Sequence, residues 1–132
     1  MITVYSDGGS RGNPGKSAYA IVVVKDGAIV HEHAEYLGEH TNNYAEYRGL
    51  IAAIAKVLDM QGTVAEFVMD SQLVIKQMNG EYKVKSPDLK PLYDDAKSLS
   101  SMIPQASFRN VRRSEELIPR ADFLLNQEMD KH

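Results

Sequence analysis

An α/β fold, built on a mixed five-stranded sheet with helices on both faces, is predicted by three features of the chain. Strand-like segments joined by a hairpin signal fill the first third, and from Thr41 onward helical and strand periods alternate. The 132 residues, 43% hydrophobic and 25% charged, suit one ordinary domain over residues 1–132.

Ile2, Val4 and Ser6 alternate with Thr3, Tyr5 and Asp7, the period of two of a strand. The glycine-rich stretch from Gly8 to Gly15 reads as the loop that ends it. Ala18 to Lys25 is a second, nearly all-apolar strand, and Asp26-Gly27 signals a hairpin into a third, from Ala28 to about Leu37. These three form an antiparallel meander. Capping residues at Thr41-Asn42-Asn43 precede Leu50, Ala53, Ile54, Val57 and Leu58 at helical spacing, so a helix should run to about Asp59. Val64 to Met69 is a short buried strand, followed by a brief helix closed by Asn79-Gly80. Ser86-Pro87 has the form of a helix start, with Leu89, Leu92, Tyr93, Ala96 and Leu99 as the apolar stripe. A strand from Ser107 to Val111, a polar loop from Arg112 to Glu116 and a helix after Pro119 complete the order β-β-β-α-β-α-α-β-α. The last two strands should lie parallel to the first through crossover connections.

Composition removes several function classes. The absence of cysteine excludes disulfides, thiol nucleophiles and thiolate metal sites, so any metal must be held by oxygen or imidazole. The longest apolar run, Ala18 to Val24, is seven residues, far below the roughly 20 that span a bilayer. The opening Met-Ile-Thr-Val-Tyr lacks a basic flank, so no membrane association and a cytoplasmic location are expected. A formal charge of −3 is the wrong sign for wrapping nucleic acid through bulk charge, although lysines 76, 83, 85 and 90 and arginines 109, 112, 113 and 120 cluster locally.

Two strands end alike, at Tyr5-Ser6-Asp7-Gly8 and Val68-Met69-Asp70-Ser71. If they lie parallel and adjacent, both carboxylates reach the sheet edge where open α/β folds place ligands. Singly, each has a structural explanation, Asp7 as a turn opener and Asp70 as a helix cap. Glu46 lies nearly in line with Leu50, Ala53 and Val57, within the arc that packs on the sheet. The competing role for it is a capping box with Asn43 as N-cap. Asp122, early in the last helix, could simply complement the helix dipole. Taken together, the four imply more. Two carboxylates about 5 Å apart repel by roughly 3 kcal/mol at an effective dielectric of 20, so a converged cluster requires cations. Mg²⁺, a hard ion that prefers carboxylate and water oxygens, suits such a set, and two ions about 4 Å apart support in-line displacement at phosphorus.

Tyr5-Ser6-Asp7-Gly8-Gly9 with Gly12-Asn13-Pro14-Gly15, Thr41-Asn42-Asn43-Tyr44-Ala45-Glu46, Asp70-Ser71-Gln72 and Arg120-Ala121-Asp122 resemble, in order, the four signature segments of type 1 ribonuclease H. The resemblance implies the ribonuclease H-like fold and endonucleolytic cleavage of the RNA strand of RNA/DNA hybrids, leaving 5′-phosphate and 3′-hydroxyl ends. By position, Asp7 would bridge two Mg²⁺ ions, with Mn²⁺ as an alternative. Asp122 would complete the site of the ion that activates water, and Glu46 with Asp70 would hold the ion beside the leaving oxygen. Asn13, Asn43 and Gln72 match the family's minor-groove contacts, and Thr41 with Asn42 its DNA-strand phosphate contacts. Amides can both donate to and accept from a 2′-hydroxyl, the group that separates RNA from DNA.

The chain departs from many relatives in three places. The stretch between Gln72 and Pro87 is too short for a basic, tryptophan-containing protrusion, so the short form is the one resembled. Arg112-Arg113-Ser114-Glu115-Glu116 has no histidine where many relatives place one, and neither Glu115 nor Glu116 is assigned its role. Ile118 stands where an asparagine usually precedes the Ala-Asp pair. Against the enzyme stands a weak or inactive nucleic-acid-binding module of the same fold; pure binding gains nothing from four acids facing phosphates. No obligatory protein partner is evident, and a monomer is expected. Gly15-Lys16-Ser17 is rejected as a phosphate loop because a strand follows it. His31 and His33 read as a solvated strand face, and Tyr82 beside Lys83 and Lys85 is weak support for a stacking site.

Overall fold

The computed structural model describes residues 1–132. Its elements are β1 (Ile2–Gly12), β2 (Gly15–Lys25), β3 (Ala28–His40), α1 (Asn42–Asp59), β4 (Val64–Met69), α2 (Gln72–Met78), α3 (Lys90–Ser100), β5 (Gln105–Asn110) and α4 (Ile118–Asp130). They follow the predicted order. The strands form one sheet ordered β3-β2-β1-β4-β5, with β1 antiparallel to β2 and parallel to β4, and β4 parallel to β5.

Both faces of the sheet are covered, which is why β1 and β2 carry apolar side chains on both sides. On one face Val4, Ile21, Val23 and Phe67 pack against Tyr47, Leu50, Ile54 and Val57 of α1, with Val74 of α2 and Ala96 of α3. On the other, Tyr5, Ala18, Ala20, Val22 and Val68 meet Ile118, Ala121, Leu125 and Met129 of α4. The parallel ladder between β1 and β4 ends at Tyr5 opposite Val68. Two residues further along each strand stand Asp7 and Asp70.

The sequence reading fails at the glycine-rich stretch. Gly8 to Gly12 is not a loop but the second half of β1, paired with Gly15 to Tyr19 of β2, and the turn is confined to Asn13-Pro14. Glycine serves close approach there. A Cβ on Gly8 would lie 2.3 Å from the Ala45 carbonyl carbon and 2.4 Å from the Glu46 nitrogen, so α1 sits directly on β1. The start of α3 also shifts. Ser86 Oγ accepts from the Leu89 N–H at 3.4 Å to cap a turn, and the helix begins at Lys90 with Pro91 in its first turn. β5 begins two residues earlier than expected, while the Val111 N–H still donates to the Met69 carbonyl at 2.9 Å.

Candidate active site

The carboxylates of Asp7, Glu46 and Asp70 offer oxygens that all lie within 4.8 Å of one another. Each comes from a different element: the middle of β1, the first turns of α1, and the residue after β4. Asp7 and Glu46 are 6% and 5% exposed, and Asp70 is half-buried. The capping box is overturned. Thr41 is the N-cap of α1, its Oγ1 accepting from the Tyr44 N–H at 3.2 Å, while Glu46 Oε1 accepts from the Gly8 N–H at 2.6 Å. Because Gly8 lets α1 touch β1, that bond turns Glu46 toward Asp7 rather than back along its own helix.

Electrostatically the cluster is frustrated. Burial, with the charges of Asp70 and Asp122, pushes the Asp7 carboxyl up to about 8. Glu46 is pushed well above its usual range, first by burial and then by Asp7 and Asp70; Asp70 is raised by burial. None of the three has a salt-bridge partner. An all-oxygen set with this spacing and uncompensated charge fits a hard divalent cation.

Asp122 is not part of the tight cluster. It lies on α4 at the rim of the same open cavity of ≈ 260 Å³, and Asn126 Nδ2 donates to its Oδ1 at 3.3 Å. Asn42 lines that cavity too, its Oδ1 accepting from the Ser10 N–H at 3.3 Å. Asn13 Oδ1 accepts from the Asn42 N–H at 3.0 Å, joining the β1–β2 turn to the start of α1. Asn13, Thr41 and Asn43 line a second groove together with Lys83 and Lys85. Gln72 is exposed in the first turn of α2 and lines neither concavity.

The loop before α4 resolves differently from the acids it contains. Glu116 is bonded to Tyr5 and Arg109, and Glu115 Oε1 accepts from the Arg112 N–H at 3.1 Å; neither lines the cavity. Arg113 does line it, a position that sequence reasoning left among a cluster of arginines because no motif marks it. Ile118 is fully buried against the sheet.

Comparison with known proteins agrees with this fold. A family model described as "Reverse transcriptase-like" matches residues 5–118. The ribonuclease HI of Halobacterium salinarum is 40% identical over 130 residues, covering 98% of this chain and 64% of that protein. The crystal structure of RNase H1 from that archaeon superposes with a TM-score of 0.94 at 39% identity, covering 99% of this chain and 98% of the other. The "Bifunctional protein Rv2228c" of Mycobacterium tuberculosis is 41% identical over 131 residues, and this chain spans 35% of its length. The compost-derived LC11-RNase H1, solved in complex with RNA/DNA hybrid, has a TM-score of 0.91 at 39% identity, covering 99% of this chain and 98% of that one. With the fold and near-complete coverage of this chain in agreement, the chain belongs to the type 1 ribonuclease H family.

Proposed function

We propose that residues 1–132 act as one catalytic domain, an endonuclease that hydrolyses the RNA strand of RNA/DNA hybrids and leaves 5′-phosphate and 3′-hydroxyl ends. The convergence of Asp7, Glu46 and Asp70 within 4.8 Å carries this reading, because buried carboxylates without counter-charges have no structural return of their own. Asp7, Glu46, Asp70 and Asp122 would hold two divalent ions, Mg²⁺ by the chemistry of the donors. When bound, such ions lower the pKa of water and stabilise the leaving oxygen at phosphorus.

The protein's own groups do the rest. The Gly8 N–H fixes the Glu46 carboxylate against β1, so that it needs no reorganisation when substrate arrives. Asn13 and Asn42 spend their carbonyl oxygens on backbone N–H groups and leave both Nδ2 groups without a protein partner, ready for acceptors on the substrate. The LC11 complex with hybrid supports hybrid as this chain's substrate class. Asn43 and the exposed Gln72 would add amide contacts in the minor groove, where the 2′-hydroxyl marks RNA.

The test is cleavage of an end-labelled RNA/DNA hybrid, with and without Mg²⁺ or Mn²⁺, beside duplex DNA and single-stranded RNA. Metal-dependent cutting of the RNA strand of the hybrid is expected. Equal cutting of duplex DNA would refute hybrid selectivity, and binding without cutting under either metal would favour the inactive module.

A further inference from the structure

Asp122 reaches the carboxylate cavity on a helix whose seat is apolar. Ile118, Ala121, Leu125 and Met129 pack α4 on the sheet, and contacts of that kind are non-directional, so they set the depth of the helix better than its rotation. Direction comes from a polar row. Asp122, Asn126 and Asp130 recur every fourth residue along one stripe of α4, and Arg11 of β1 closes on it. Arg11 Nη2 donates to Asp130 Oδ1 at 2.6 Å, to the Asn126 carbonyl at 3.2 Å and to Asn126 Oδ1 at 3.3 Å. Asn126 Nδ2 in turn donates to the Asp122 carbonyl at 2.9 Å and to Asp122 Oδ1 at 3.3 Å. Arg11, Asn126 and Asp122 all line the carboxylate cavity.

The chemistry of the three groups fixes their order. An arginine can only donate and a carboxylate can only accept, so the amide between them must turn its oxygen to Arg11 and its nitrogen to Asp122. Asp130, exposed at the far end of the row, matches the charge of Arg11, and that arginine forms no ion pair with the cavity acids. Asp122 therefore has Oδ1 engaged by Asn126, while its Oδ2 has no protein partner. An asparagine within a helix is less favourable than alanine, because its side chain competes for backbone groups. Here the same side chain ties α4 to β1 and settles the orientation of a carboxylate.

We propose that Asn126 is a positioning residue for Asp122, holding one carboxylate oxygen so that the other is left for a divalent cation, and that Arg11 keeps the Asn126 amide turned the right way. Carboxylates that ligate metals are themselves held by hydrogen bonds, and losing such a partner typically costs ~10–100-fold in metal affinity or activity. Asp122 depends on such a hold more than its neighbours do. Asp7, Glu46 and Asp70 are gathered by the β1–β4 ladder and the Gly8 N–H, whereas Asp122 stands outside that tight group on a separate helix. The proposal deepens the two-ion reading of the site and rests on it.

The test is calorimetric titration of Mn²⁺ into the full, substrate-free chain, beside kinetics on the hybrid. Asn126→Ala is expected to weaken Mn²⁺ binding about tenfold and to lower kcat about tenfold, with KM for the hybrid within about twofold of its reference. The loss of metal affinity should disappear in an Asp122→Asn background, where no carboxylate is left to orient. Arg11→Gln should cost about threefold in Mn²⁺ affinity when Asn126 is present and nothing further in the Asn126→Ala protein. An Asn126→Ala protein whose Mn²⁺ affinity stays within about twofold of the reference would overturn the proposal whatever happens to the rate or the melting temperature, since Asn126 would then only brace the helix. An equal loss with and without the Asp122 carboxylate would overturn it too. Equal losses from Arg11→Gln in both backgrounds would overturn the part given to Arg11. If the unmodified protein binds Mn²⁺ but cuts no hybrid, the nuclease reading fails, while the titrations still decide whether Asn126 acts through Asp122.

Discussion

Tyr5 and Asp7 point to the same side of β1, two residues apart, and the carboxylates they meet are treated in opposite ways. Glu116, beside Tyr5, has an arginine and a phenol donating to it, and its carboxyl is pulled down to about 2, first by Arg109 and then by Tyr5. Asp7 meets other carboxylates and is pushed up to about 8. Exposure follows the same division, with Glu116 at the surface and Asp7 and Glu46 buried. One cluster is finished by the protein's own residues, and the other is left with a charge that only something from outside can neutralise. Acids without partners, more than acids as such, distinguish a site from a brace.

The sharpest way to break this comparison is Asp7→Asn. If the cluster is the proposed site, hybrid cleavage should fall by at least about a thousandfold, a loss on the scale seen for removal of an essential catalytic group. The same substitution should raise the melting temperature of the metal-free protein, because it removes repulsion. A lower melting temperature would mean that the Asp7 carboxylate is structural. Gly8→Ala comes next: the added methyl collides with the α1 backbone, and about 3 kcal/mol of stability should be lost in denaturant unfolding. Glu46 would be moved away from Asp7, so activity should fall further than stability alone accounts for.

The pH dependence separates the clusters by sign. A carboxyl raised in the folded state binds more protons there than in the unfolded chain. Metal-free stability from Asp7 is therefore fully present below about 3.8 and lost as pH rises toward about 8. Glu116 acts in reverse: its contribution is present above 4.5 and disappears as pH falls toward about 2. Chemical denaturation across pH 3 to 9 should show the alkaline loss, and saturating Mg²⁺ should flatten it. A loss unaffected by Mg²⁺ would show that the buried acids are not where the ion binds. Smallest is Tyr5→Phe, which removes one bond to Glu116 and should cost about 1 kcal/mol without touching the acid cluster.

Much of this arrangement was legible in the order of the residues. The alternation through Tyr5 and the apolar run ending at Met69 placed two aspartates at strand ends, and the bounds of β4 emerged as predicted. The helical arc placed Glu46 on the buried side of α1, and the fold delivered it there. What failed was local chemistry with two solutions. Gly8, Gly9 and Gly12 carry the composition of a loop, and only the approach of α1 shows that Gly8 is there for lack of room. Asn43 and Thr41 can each cap a helix, and the choice depends on the β1–β2 turn, where Asn13 takes the Asn42 N–H. Glu116 was unreadable because its part in the fold depends on Tyr5 and Arg109, which only the folded set brings to it, and not on any segment.

The position of β1 in the middle of the sheet has a dynamic consequence. Asp7 is flanked by a strand on one side and by the end of the ladder to β4 on the other, under helices on both faces. Its backbone belongs to the part of the molecule that should exchange amide hydrogens only through global opening, whereas residues 112–115 have little backbone pairing and can open on their own. The acids are thus brought together by the same cooperative event that forms the sheet. Their mutual repulsion is borne by the stability of the whole domain, and a cation arriving later meets a site already formed.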